Sequence, residues 1–382
     1  MMPRKLILAN RLSPGDIVML TAAVRDLHRS HPGKFTTDVR TSCAALWENN
    51  PHLTPLRDGD AEAARFGCPE RIECQYPLIH QSNSGPWHFI HGFTQHLAAQ
   101  LGVEIRPGDF KGDIHLAEKE RRWISQVQEI TREPVPFWIV GAGGKFDFTA
   151  KWWEHARYQQ VVDHFRGRIL FVQVGEKGHH HPPLRGVLDL RGRTSLRQLV
   201  RLVHHAQGVL CPVTLLMHLA AAVPVRADMP KNRPCVVVAG GREPAQWEAY
   251  PHHQYLHTNG ALRCCDHGGC WKSRTVPLGD GDAKDQPGKL CTNVVHVRDA
   301  ALSFARKANE PVPAHAAADA PGRNAEDFLP RCLDLITAEQ VIGRIQLYFD
   351  GGAVRPLTAR EWDRGEAAIE RHAGRRGPVR VA

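Results

Sequence analysis

The chain has 382 residues, 42% of them hydrophobic and 23% charged, which are ordinary proportions for folded domains and exclude an intrinsically disordered or low-complexity protein. At about 100–200 residues per domain, the length suits two or three domains and excludes a single small binding module. Lysine and arginine number 49 against 40 acids, a net charge of +9 with the 23 histidines neutral, so acidic partners such as phosphates are favoured without any one of them being chosen.

No apolar run approaches the roughly 18 residues of a membrane-spanning helix, and the hydrophobic stretch near the start is too short for a signal-peptide core. The expectation is a cytoplasmic chain with no transmembrane segment. Ten cysteines in a chain of this size point to metal binding or catalysis rather than to a disulfide framework.

Residues 5–9 form a short apolar strand, residues 10–15 supply turn chemistry, and residues 17–27 carry apolar side chains at helical spacing. A second strand is expected over 35–40, a Ser-capped helix over 42–47, and a helix over 87–100 with Phe89, Phe93 and Leu97 on one face. The charged stretch 118–133, closed by Pro134 and Pro136, reads as an interdomain helix and hinge.

A second alternating series follows: a strand at 137–140, a glycine-rich turn at 141–144 and a helix over 153–165. Next come a strand at 169–174, a helix at 195–205, a strand at 208–210, a helix at 215–223 and a strand at 235–239. Strands alternating with helices predict parallel sheets, and the repetition predicts an α/β protein of two doubly wound, Rossmann-like domains facing a cleft. The expected divisions are 1–133, 134–350 with a cysteine-rich knot at 263–335, and a C-terminal helix and tail at 351–382. The helix, near 358–372, is expected to pack back across the hinge. The triple histidine at 179–181 reads as a surface loop, since three adjacent imidazoles cannot all reach one ion.

Four groups of residues carry candidate chemistry. Asp16, just past a strand and beside Gly15, suits a general base at the mouth of an α/β cleft or a cap on the following helix, a role open to Ser13 as well. Lys145 and Lys151 follow a glycine-rich turn that lets backbone amides approach an anion, and two lysines six residues apart could neutralise a diphosphate. Thr214 and Leu215 open a small-residue helix whose N-terminus offers unpaired amides, while His218, one turn further, reads as a packed histidine. Cys265, Cys270, Cys291 and Cys332, with Cys264 as the alternative to Cys265, could form a closed tetrahedral thiolate site or simply be reduced structural thiols.

Taken together, these segments resemble glycosyltransferase family 9, the heptosyltransferases. The likeness rests on Gly15-Asp16-Ile-Val-Met-Leu-Thr-Ala-Ala-Val, Glu48-Asn-Asn-Pro51-His52, Lys151-Trp152 and Met217-His218-Leu-Ala-Ala-Ala. The order Arg263-Cys-Cys265, Gly269-Cys270-Trp271, Leu290-Cys291 and Pro330-Arg-Cys332 resembles a narrower branch, the bacterial autotransporter heptosyltransferases.

The resemblance implies a GT-B architecture, with the acceptor in the N-terminal domain and a nucleotide sugar, ADP-heptose foremost, in the C-terminal one. It implies Asp16 as base and Lys151 as the cation that steadies the departing diphosphate. Lys145, Glu176, Thr194, Thr214, Leu215 and His218 would be donor contacts. The four cysteines would hold a structural iron or zinc, and no catalytic divalent cation is expected. The acceptor would be a protein serine or threonine, or a glycan; an oligomer is compatible and nucleic acid is disfavoured. Where the family has Asp-Thr-Gly this chain has Val213-Thr214-Leu215, which removes an acid from the sugar side of the site. That substitution leaves a noncatalytic scaffold as an alternative, and the basic charge together with a cysteine-bound metal leaves a nucleic-acid binder as another.

Overall fold

The computed structural model describes residues 2–57, 69–297 and 325–373. Residues 298–324 of the expected knot and the tail beyond 373 lie outside them, as does Cys68.

The N-terminal half is built on a parallel sheet of three strands among the described residues, ordered β2 (Phe35–Thr41), β1 (Arg4–Asn10), β3 (Glu70–Glu73). Helix α1 (Pro14–Ser30) follows β1, and Ile17 through Leu20, Ala22 through Val24 and Leu27 are all fully enclosed. A helix apolar on every side must be covered on every side. Here α1 packs against the helix Phe89–Leu101 of its own half and against the helix Leu215–Ala222 of the other.

The C-terminal half holds a six-stranded parallel sheet in the order β6 (Leu188–Asp189), β5 (Leu170–Gln173), β4 (Phe137–Val140), β7 (Gly208–Pro212), β8 (Cys235–Gly240), β9 (His253–His257). Relative to its own first strand this is 3-2-1-4-5-6, the doubly wound order, in which the winding reverses between β4 and β7. Ligands of such sheets bind beyond the carboxyl ends of the strands flanking that reversal. Here those ends open into 141–145 and 213–215. Strands β4, β5, β7 and β8 are buried along their whole lengths, which explains their unbroken apolar sequences.

Two elements differ from expectation. Residues 42–47 form only a one-turn 3-10 helix, Ala44–Leu46, because the Ser42 hydroxyl donates to the Leu12 carbonyl instead of capping a helix. The stretch 118–133 is broken into Glu118–Arg121 and Gln126–Thr131, since Ser125 starts a new helix by accepting from the Gln128 amide at 2.9 Å. The last helix, Ala359–Ala373, packs on the Gln126–Thr131 helix and on β6, with Arg360 and Arg364 paired to Glu133.

The two halves share one continuous apolar cluster, running from Leu6 and Leu8 through α1 to Leu216, Leu219 and Val237. The two halves are therefore joined through one core along α1. Arg197 reinforces the junction by donating to Glu120 at 2.6 Å and to the His115 carbonyl at 2.7 Å.

Close packing in the second sheet is tightest where β4 meets β7: a methyl group on Gly208 would stand 2.3 Å from the indole of Trp138. Gly208→Ala is therefore expected to cost about 1–3 kcal/mol through overpacking. Urea denaturation checks this, and an unchanged midpoint would contradict the packing described.

Candidate active site

β1 ends on Asn10, whose side chain accepts from the Leu12 amide at 2.8 Å and donates to the Cys74 carbonyl at 3.3 Å, turning the chain into α1. Ser13 stands at the N-cap position with Pro14 in the first turn, but its hydroxyl makes no capping bond. Asp16 does that work: its carboxylate accepts from the Ser13 backbone amide and from its own, and also from the Tyr76 hydroxyl. Burial outweighs these bonds and pushes its carboxyl up to about 6. Asp16 is thus both helix cap and a carboxylate poised near neutrality.

The opposing wall comes from the C-terminal half. The 3-10 segment Phe146–Lys151 delivers Lys151, whose Nζ stands 2.6 Å from Glu243 Oε1 with 21% of the lysine side chain exposed. Arg242 donates to the same oxygen and lies 4.9 Å from the ring centre of Phe148. Arg242 and Glu243 come just after β8, beyond the carboxyl end of the sheet. Glu248, in the short helix Ala245–Glu248, completes the group.

The charges in this cluster act on one another. Burial pulls the Lys151 ammonium down to about 7, Arg242 adds repulsion, and Glu248 and Asp16 oppose the shift. Burial likewise lifts Glu248 to about 7, with Lys151 the chief opposing charge. Asp16, Lys151 and Glu248 thus all titrate near neutral pH in a partly dry junction, a pattern that clusters at functional sites. Two carboxylate oxygens, Glu243 Oε2 and Glu248 Oε2, are buried with no hydrogen-bond partner. An unpaired buried charged group costs upward of about 1–3 kcal/mol, so both are candidates for ligand contact.

His218 is packed, as its setting predicts. Nδ1 stands 2.7 Å from the Tyr250 hydroxyl, Nε2 is 3.5 Å from Glu248, and burial pulls the ring down to about 3, leaving it neutral. Its Cδ2 would be 2.9 Å from a methyl group on Gly15. Glycine at 15 therefore lets the start of α1, and Asp16 with it, close onto the C-terminal half. Tyr250 extends the junction by donating to Met19 Sδ at 3.0 Å.

The other expected donor contacts are not drawn into this cluster. Thr214 is the N-cap of the Leu215–Ala222 helix, makes no side-chain capping bond and is half-buried, as is Leu215. Lys145 is half-buried, Glu176 is exposed with His179 at 3.4 Å, and Thr194 lies just ahead of the Ser195 cap.

The glycine-rich turn is not an open anion cradle. The Gly141 amide donates to the Leu210 carbonyl and the Gly144 amide to that of His180, both at 2.9 Å. His180 also stacks on Trp152 with ring centres 4.2 Å apart, and His181 Nδ1 bonds the Ala142 carbonyl at 2.9 Å. The expected histidine surface loop is thus laced over the turn. Gly143, at φ +104°, permits this, since a methyl group there would meet the His180 carbonyl at 2.0 Å.

The cysteines gather at the carboxyl end of β8. Cys265 and Cys332 crowd Gly241 and Gly240, and Cys265, Cys270, Cys291 and Cys332 lie close enough to influence one another's ionisation. Burial lifts Cys291 to about 12 and Cys332 higher, whereas the Cys264 thiol donates to Cys265 and brings it down to about 6. Among the described residues no group of three or more His, Cys, Asp or Glu is arranged to hold a metal ion.

Tyr76, Arg242, Glu243, Glu248 and Tyr250 were not singled out from sequence. The available signal was Gly240-Gly-Arg-Glu243 directly after an apolar run, placing charged side chains at the end of a buried parallel strand.

A family model for glycosyltransferase family 9 (heptosyltransferase) matches residues 88–257. A glycosyl transferase family 9 structure from Veillonella parvula is similar at 15% identity and TM-score 0.55, covering 92% of this chain and 98% of that one. The iron-containing dodecameric glycosyltransferase TibC from enterotoxigenic E. coli is similar at 16% identity and TM-score 0.53, covering 92% of this chain and 77% of that one. TibC in complex with ADP-D-β-D-heptose gives the same TM-score at 15% identity, covering 92% and 78%. At these identities the likeness establishes the fold. No curated protein matches the chain. Among the described residues no helix is long and apolar enough to cross a membrane.

The Lys151 ammonium is expected to titrate near 7 in the ligand-free protein, far below an ordinary lysine. The pH dependence of its reductive methylation, read by NMR, checks this. Titration near 10 would contradict the enclosed geometry.

Proposed function

We propose that this chain, a glycosyltransferase by its family match and fold, performs an inverting transfer of a sugar from a nucleotide donor to an acceptor hydroxyl, with ADP-heptose the leading donor. The observation that carries the reading is the approach of Asp16, on the first helix, to Lys151, on the opposing half, near enough for each to shift the other's ionisation. One residue can take a proton and the other can receive negative charge.

In this mechanism the acceptor hydroxyl gives its proton to the Asp16 carboxylate as its oxygen attacks the anomeric carbon. The bond from that carbon to the diphosphate breaks, and the nucleoside diphosphate leaves with the electron pair. Tyr76, donating to Asp16, orients the carboxylate. Lys151 meets the growing charge on the leaving group, where a fixed cation stabilises the transition state more than the ground state. One of its three N–H bonds is directed at Glu243, which leaves donors for phosphate. The amides of Thr214 and Leu215, at the start of their helix, add partial positive charge on the same side. These groups supply the neutralisation a divalent cation would otherwise give. Lys145, Glu176 and Thr194 would contact the outer parts of the donor, and His218 would act through packing. Residues 1–133 would carry the acceptor and 134–350 the donor; the acceptor would be a protein serine or threonine, or a glycan.

The cysteine group is proposed to bind a structural iron or zinc through Cys265, Cys270, Cys291 and Cys332. Thiolate sulfur is the donor both metals accept, and these four thiols gather near the end of β8, close enough to influence one another's ionisation. Bound metal would fix the remaining thiols as thiolates despite their burial, and would tie the segment after β9 to the end of β8.

Two outcomes test this subsection. Asp16→Asn should lower kcat by about 10²–10⁴ while leaving nucleotide affinity nearly unchanged. Because Asp16 is active only when deprotonated, wild-type turnover should fall about tenfold per pH unit below 6. A variant of normal rate, or a flat acid limb, would remove it as base. Replacing Cys270 and Cys291 with Ser should abolish metal retention in elemental analysis and lower the melting temperature, whereas metal content and melting equal to the parent would refute the site.

A further inference from the structure

We propose that Glu243 reads a hydroxyl of the transferred sugar and so sets which donor the enzyme accepts. The inference rests on the donor reading above and extends it to a residue that neither the family match nor the sequence pattern singled out. Glu243 is 3% exposed, and its two oxygens differ sharply. Oε1 receives Lys151 at 2.6 Å and also Arg242, while Oε2 is enclosed and has no partner. A carboxylate oxygen can only accept, so its missing partner is a donor such as a hydroxyl.

Position narrows the donor further. In the proposed mechanism a diphosphate on Lys151 brings the sugar it carries toward Asp16, which takes the proton of the attacking hydroxyl. Glu243 is anchored to the same lysine and cannot move away without breaking both cationic contacts. Its free oxygen is therefore held beside the cation that would carry the diphosphate. Residue 213, at the end of the adjacent strand β7, is a valine and offers no acceptor. A site built to bind a hydroxyl rejects ligands that lack one, because its acceptor is then left unpaired.

The test is calorimetry with ADP and ADP-heptose on wild type and Glu243→Gln, with Glu243→Asp as a second variant should the first fail to fold. Wild type is expected to bind ADP-heptose at least about tenfold more tightly than ADP. Glu243→Gln, or Glu243→Asp in its place, should lose that margin while retaining ADP binding. Unchanged discrimination at position 243, or loss of ADP binding along with the margin, overturns the proposal. Absence of ADP binding to wild type overturns the ADP-sugar reading on which it rests, so the two failures are distinct.

Discussion

The Lys151–Glu243 ion pair, set against Asp16 across the junction of the two halves, is the interaction around which the rest of the structure is arranged. Glu248 and Asp16 oppose the burial that strips the Lys151 charge, and Lys151 in turn opposes the burial that protonates them. Removing any one member changes the protonation of the others. The site is better described as one coupled acid–base unit than as a base and a separate cation.

Coupling of this kind demands that two separately built sheets meet in one fixed place. Helix α1 meets the demand by being apolar on every side, which forces it to be covered by both halves. Gly15 permits the last step, since any side chain there would strike His218. The neutral His218, Tyr250 and Met19 then form a dry seam beneath the charges. That seam lowers the local dielectric and accounts for the raised Asp16 and lowered Lys151. Stability and the electrostatics of the candidate site are here the same contacts seen from two sides.

Much of the architecture was legible because parallel strands buried on both faces write themselves as unbroken apolar runs: the 137–140 and 208–210 segments lie on β4 and β7, and the series at 35, 169 and 235 lies on β2, β5 and β8. The short edge strand Leu188–Asp189 and the half-exposed His253–His257 carry no such run and were not expected. Asp16 and Lys151 were legible as individual residues, each flagged by a glycine and a strand end. Their partners were not: Tyr76 and Glu248 gain meaning only from long-range proximity, and Glu243 carried only the Gly-Gly-Arg-Glu signal at the end of a buried strand. The histidine run is a partly exposed loop, as its polarity reads, but nothing local encodes that its backbone closes over Gly143 and Gly144.

The central claim is that this junction receives a nucleoside diphosphate through Lys151. The most direct measurement is a calorimetric screen of ADP, GDP, UDP and CDP against the wild-type protein and Lys151→Ala. The account predicts clear binding of one nucleoside diphosphate to wild type and a marked loss of that binding in the variant. Binding to none of the four, or affinity unaltered without the lysine, would contradict it.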